Sequence, residues 1–186
     1  MARPRDFDVD RALDVAVRLF WKQGYAATSV RQLCDAMGLQ PGSFYAAFES
    51  KDACFRRALE RYLASQALPR EPSHDAIRAW LDAIVDPARM PKGCLLVVSA
   101  VERPMLDAKS ARFVRDRITA MRSFFTACLA DRDRAADDAA LIGAAVVAIH
   151  VQARAGTDAA ELRRIADRAL EAVGLLRAPA PALARS

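Results

Sequence analysis

Thr28 to Phe48, read as TSVRQLCDAMGLQPGSFYAAF, constrain this chain more than any other stretch, because they spell two short helices joined by a tight turn. Ser29 opens the first as an N-cap, and Gln32 three residues later can reach back to close a capping box. Val30, Leu33 and Met37 recur at helical spacing and give that helix one buried face. Gly38 ends it, since glycine enters the left-handed backbone past a helix C-terminus at little steric cost. Leu39 anchors the turn, and Pro41 suits the first turn of the next helix because its missing N–H would be unpaired anyway. Helices so joined place the second one in a DNA major groove. The sequence therefore predicts DNA binding. Gln40 and Ser43 are expected to hydrogen-bond base edges there, and Phe44 to touch a thymine methyl.

The flanks extend this reading. Asp8 to Tyr25, with Leu13, Ala16, Val17 and Phe20 on one face, form a helix stopped at Gly24-Tyr25. After Phe48-Glu49-Ser50-Lys51-Asp52 a longer amphipathic helix runs through Phe55, Leu59, Tyr62 and Leu63. The order of these features covers residues 1–63: an aromatic-rich first helix, Gly-Tyr, Thr-Ser-Val, Met-Gly-Leu, Gly-Ser-Phe-Tyr, a closing Phe48 and Lys51 two residues after Glu49. It resembles the N-terminal domain of TetR-family transcriptional regulators. The resemblance implies that Thr28, Tyr45 and Lys51 hold DNA phosphates. It departs at Ala47, where many members carry histidine, and this puts one backbone contact in doubt. Arg3, Arg5, Arg31 and Lys51 bracket the reading head. Arg3 and Arg5 either enter an adjacent minor groove or belong to a free tail.

Composition bounds the remainder. The chain has 186 residues and a net charge of +5 with 23 acidic side chains, a modest bias toward a polyanionic partner. The N-terminus lacks the apolar core of a signal peptide, and the most apolar run, Ala139 to Ile149, is shorter than the ~20 residues that span a bilayer. Cys34, Cys54, Cys94 and Cys128 stand apart without a CxxC pair, the usage of a reducing cytoplasm. With His74 and His150 the only histidines, neither a zinc site nor any other cofactor is expected. Cys94 and His150 lack a recognisable third orienting group, so the chain is not read as an enzyme.

Helix-period segments and proline or glycine punctuation, without strand alternation, make the chain all-α. Residues 1–50 read as a three-helix DNA-binding domain. Residues 51–176 read as a helical effector-binding and dimerisation domain, with helix 51–66 connecting the two and 177–186 a disordered Pro/Ala tail. The joint falls near Leu68-Pro69-Arg70-Glu71-Pro72. A loop spans Asp86 to Gly93, and further helices run over 73–85, 94–102, 107–129, 137–155 and 158–176. Trp80, Cys94, Val98, Phe113, Met121, Phe124, Phe125 and His150 either line an apolar effector pocket or form packing core.

At Gly93-Cys94-Leu95 the helix start and Lys92 favour thiolate, while burial against Leu95 and Leu96 opposes it. This opening resembles a TetR-family branch in which some members sense electrophiles or oxidants. Leu141, Ala144, Val147, Ala148 and Val151, with Leu162 and Ile165, are candidates for a dimer interface, because alanine-rich faces let helices approach closely. The expected whole is a homodimeric repressor that a small molecule releases from a pseudo-palindromic operator.

Overall fold

The computed structural model describes residues 8–66, 69–86 and 93–176. Arg3, Arg5, the residues 67–68 and 87–92 of the two expected connections, and the tail 177–186 lie outside them. The described chain is all-α: α1 (Val9–Gln23), α2 (Val30–Met37), α3 (Pro41–Phe48), α4 (Lys51–Ser65), α5 (His74–Val85), α6 (Leu95–Val101), a 3-10 turn (Arg103–Met105), α7 (Ala108–Cys128), α8 (Ala135–Ala155) and α9 (Ala159–Ala172). Their starts follow the chemistry of the orphan N–H groups in each first turn. Asp8, Ser29, Ser50, Ser73 and Asp158 each accept a backbone N–H of the following helix. Gly24, Gly38 and Gly156 stop α1, α2 and α8.

Packing divides the chain into two compact units. The first unit contains residues 1–67 and 93–121, so α4, α6 and most of α7 belong with the helix-turn-helix. The second contains 68–92 and 122–186. In the first, α4 packs along α1, and α2, α3 and α6 complete the contacts. Its core gathers Phe20, Leu33, Phe44, Phe48, Phe55 and Leu59, all essentially inaccessible to solvent. Phe55 meets the Phe20 and Tyr25 rings edge-on, with centroids 5.3 and 5.1 Å away. Arg61 clamps α4 to α1 by donating to both Asp14 oxygens at 2.6 and 3.0 Å. That hydrogen-bonded guanidinium holds the Asp14 carboxyl below its ordinary range.

In the second unit α5, α8 and α9 pack on one another. The inner face of α8 buries Ala139, Ile142, Gly143, Val146, Ile149 and Ala153. α9 buries Leu162, Ala166, Ala169 and Leu170. The 21 residues of α8 exceed the Ala139–Ile149 run read from sequence and are long and apolar enough to cross a bilayer by length and composition.

His150, half-buried on α8, has its imidazole pushed down to about 4 by burial. The neutral ring is the form the fold prefers, so this contribution is complete above the unfolded value near 6.5. It is lost progressively as pH falls from there to about 4, and amounts to about 3 kcal/mol at the acid end. His150→Leu is therefore expected to flatten the melting temperature between pH 6.5 and 4. A slope equal to that of wild type would exclude His150 as its source.

Candidate nucleic-acid interface

α2 enters through a complete capping box. The Gln32 N–H donates to Ser29 Oγ at 3.2 Å, and the Ser29 N–H donates to Gln32 Oε1 at 2.8 Å. Gly38 then takes the left-handed conformation, with φ 69°, and Leu39 N–H closes back on the Cys34 carbonyl at 2.9 Å. Pro41 occupies the first turn of α3, whose N-cap is Gln40. The geometry is the one the sequence predicted.

The exposed face of α3 differs in one residue. Gln40, Pro41, Gly42 and Ser43 are open to solvent and Tyr45 is half exposed, so Gln40 and Ser43 stand where base edges can meet them. Phe44 is fully buried, its ring tilted against that of Phe48 with centroids 5.2 Å apart, and cannot touch a thymine methyl. The expectation for Phe44 is corrected: it is core. At the departure noted above, Arg57 donates to the Ala47 carbonyl at 2.9 Å and lies over the Phe48 ring, which fixes the end of α3.

Two residues assigned to phosphates by resemblance are engaged inside the protein. Thr28 is buried, and its hydroxyl donates to the Gly24 carbonyl at 2.5 Å, so it closes the turn instead of facing a phosphate. Lys51 Nζ donates to the Tyr25 and Thr28 carbonyls at 3.1 and 3.0 Å and rests 3.9 Å above the Tyr25 ring. An ammonium has three N–H donors, so one remains for a phosphate. Arg31 is exposed, with a loose 3.9 Å pair to Asp35 that a phosphate can outcompete.

The sequence reading missed the residues that hold this surface together. Gln23 donates from its amide to the Ala27 carbonyl, Thr28 Oγ1 and Gln32 Oε1, linking the end of α1 to the capping box. The Tyr25 hydroxyl donates to Asp52 at 2.5 Å, and burial together with that carboxylate pushes the phenol up. Glu102, at the C-terminal end of α6, accepts the backbone N–H groups of Tyr25 and Ala26 at 2.7 and 3.2 Å. Gln23 and Asp52 are near enough in sequence to suspect. Glu102 carries no local signal.

The effector candidates divide between the units. Cys94, Val98, Phe113 and Met121 fall in the first, while Trp80, Phe124, Phe125 and His150 fall in the second. In the second unit Trp80, Phe124 and Phe125 form an aromatic triangle with centroids 5.0–5.9 Å apart. In the first, Cys94 is the N-cap of α6, and the buried Tyr62 of α4 lies next to it. Burial pushes the Cys54 thiol up to about 12 and also raises Cys34 and Cys128, which makes all three poor nucleophiles. Cys94 is half-buried.

Among the dimer candidates, Leu141, Val147 and Val151 are 37–50% exposed, and Ala144 and Ala148 are open beside them. Leu162 is fully buried and Ile165 half-buried, so Leu162 is corrected from interface to internal core.

The model of a family described as "Bacterial regulatory proteins, tetR family" matches residues 12–58. The repressor ComR of Escherichia coli is 45% identical over 69 residues, 37% of this chain and 33% of that protein. The repressor BdcR of the same organism is 42% identical over 67 residues, 36% of this chain and 34% of that protein. Both matches span about a third of the relative's length. Structural similarity extends much further. A cysteine-substituted TetR family regulator, CifR, bound to 26-base-pair operator DNA superposes with a TM-score of 0.77 at 29% identity, covering 92% of this chain and 99% of that one. A second CifR cysteine mutant matches at 30% identity with a TM-score of 0.73, covering 91% and 99%. With the capped α2, the tight turn and the solvent-open start of α3, these likenesses lead to one conclusion: the chain belongs to the TetR family of DNA-binding transcriptional regulators.

Proposed function

We propose that the protein is a cytoplasmic, homodimeric repressor that holds a pseudo-palindromic operator and leaves it when a small-molecule effector binds. The observation that carries the reading is the open N-terminal half of α3, with Gln40, Ser43 and Tyr45 outward and the Lys51 ammonium on the adjacent turn. Gln40 and Ser43 read bases, while Tyr45, Lys51 and Arg31 hold phosphates. The test begins with duplexes that the full chain selects from a random pool. Gln40→Ala is expected to change the preferred base at one position by about 1–3 kcal/mol. Tyr45→Ala/Lys51→Ala is expected to weaken binding to every duplex and flatten its salt dependence. Normal affinity in a folded double mutant would remove this assignment.

The effector belongs with the helices outside the reading head. The aromatic triangle of Trp80, Phe124 and Phe125 favours an apolar, ring-bearing molecule. The operator need lose only about 1.4 kcal/mol for a tenfold release. A second reading rests on Cys94, the half-buried thiol among three buried ones. Its sulfur adds to an electrophile such as a quinone, the thiol proton passing to the quinone oxygen, and the adduct strains the start of α6. Wild type is then expected to leave the selected duplex on quinone treatment while Cys94→Ser stays bound. Equal release of both would return Cys94 to a packing role.

A further inference from the structure

We propose that Glu102 is a positioning residue for DNA binding: from the end of α6 its carboxylate fixes the turn that launches α2, and so sets the pitch of the α2–α3 head. The turn from Gly24 to Ser29 has no regular structure of its own, and its direction decides where α2 and α3 point. Its polar groups are held from several sides. Thr28 closes on the Gly24 carbonyl, Lys51 gathers the Tyr25 and Thr28 carbonyls, and Asp52 takes the Tyr25 hydroxyl. Glu102 supplies what these cannot, two acceptors for the consecutive N–H groups of Tyr25 and Ala26, at 2.7 and 3.2 Å.

The approach of Glu102 to the backbone is close. Gly24 has φ +85°, and a Cβ there would lie 2.5 Å from one Glu102 oxygen and 2.8 Å from the other. A side chain at residue 24 and a two-oxygen clasp therefore exclude each other. Glycine at this position serves the clasp as well as the backbone.

α6 is built to transmit this hold. Leu95, Leu96, Val97 and Ser99 are buried, and Ser99 Oγ donates to the Leu95 carbonyl at 2.7 Å. At its N-terminal end α6 packs on α4, with Tyr62 beside Cys94, and at its C-terminal end Glu102 bonds to the turn. The short helix is thus a strut that packs on α4 and carries a polar joint to the base of the reading head. Displacing α6 along its axis must either drag the turn or break the clasp. Positioning through Glu102 depends on DNA binding alone and not on dimerisation, a ligand or a reactive thiol.

The experiment uses the full chain, a duplex first selected by the wild type, and a scrambled duplex of equal length at the same salt. Because the wild type selects the duplex beforehand, failure of DNA binding itself would show at that step and not in the variants. Glu102→Gln keeps the size but replaces one acceptor by a donor; Glu102→Ala removes both acceptors. Both are expected to raise amide hydrogen exchange at Tyr25 and Ala26 at least tenfold while α8 amides keep their protection. Affinity for the selected duplex should fall about tenfold, with less than a twofold change on the scrambled one. Unchanged affinity for the selected duplex would overturn the proposal and leave a local turn cap. A parallel change on both duplexes would overturn it in favour of simple charge repulsion between Glu102 and DNA. Loss of the melting transition in both variants would reduce Glu102 to a folding residue.

Discussion

Phe44→Ala is expected to destabilise the DNA-binding head strongly rather than retune base preference. The ring sits on the recognition helix, where an aromatic side chain invites assignment to the groove, yet it is wholly buried against Phe48 and the Leu33–Phe55–Leu59 core. Removing a buried phenyl leaves a cavity that two short helices can close only partly, at a cost of about 3–5 kcal/mol. That is a large share of the roughly 5–15 kcal/mol that holds a small protein together. Urea denaturation followed by circular dichroism should show the midpoint falling with little change in slope. Gln40→Ala, at an exposed N-cap without a side-chain cap bond, should leave the midpoint in place and alter sequence preference instead. If Phe44→Ala kept its midpoint and shifted base preference, Phe44 would belong to the groove.

The contrast between these two positions shows where the sequence was legible. The capping box, the Gly38 stop and the Pro41 start each depend on residues within four positions of one another, so α2, the turn and α3 could be placed from spacing alone. Which aromatic of Phe44-Tyr45 points inward could not. α3 has only two turns and apolar residues on most sides, and the choice is made by residues of α2 and α4 that pack on it. Thr28 misleads for a related reason. The family pattern attaches a role to a residue type, while the Gly24 carbonyl engages the Thr28 hydroxyl internally. Leu162 and Ile165 are both apolar and three positions apart on α9, and only packing separates the core residue from its half-buried neighbour. Glu102 meets Tyr25 across 77 residues of sequence, beyond any local pattern.

Val147→Arg/Val151→Arg is expected to yield a folded monomer and to lower operator affinity by about a hundredfold or more, as an avidity of two heads is lost. α8 has already given its inner face to its own chain, yet Leu141, Ala144, Val147, Ala148 and Val151 form a second apolar stripe open to solvent. By length the helix could span a bilayer, but lipid requires an apolar surface all round. The exposed positions of α8 also include Asp137, Gln152 and Arg154, and α9 beside it exposes Glu161, Arg164 and Arg168. A stripe with charged margins suits a partner helix of the same kind. Its small Ala144 and Ala148 allow close approach, and two such helices related by a two-fold axis present the same surface to each other. Two arginines in that seam place unpaired charges where water is to be expelled, which dissociates the pair without touching either core. Leu162→Arg is the opposite case. Its charge is forced into a fully buried site and should collapse the second unit itself. Sedimentation at micromolar concentration with far-ultraviolet dichroism separates the two outcomes: monomer with native helicity for the α8 variant, lost helicity for Leu162→Arg. A wild type that sediments as a monomer, or an α8 double variant that remains a dimer, would remove α8 from the interface.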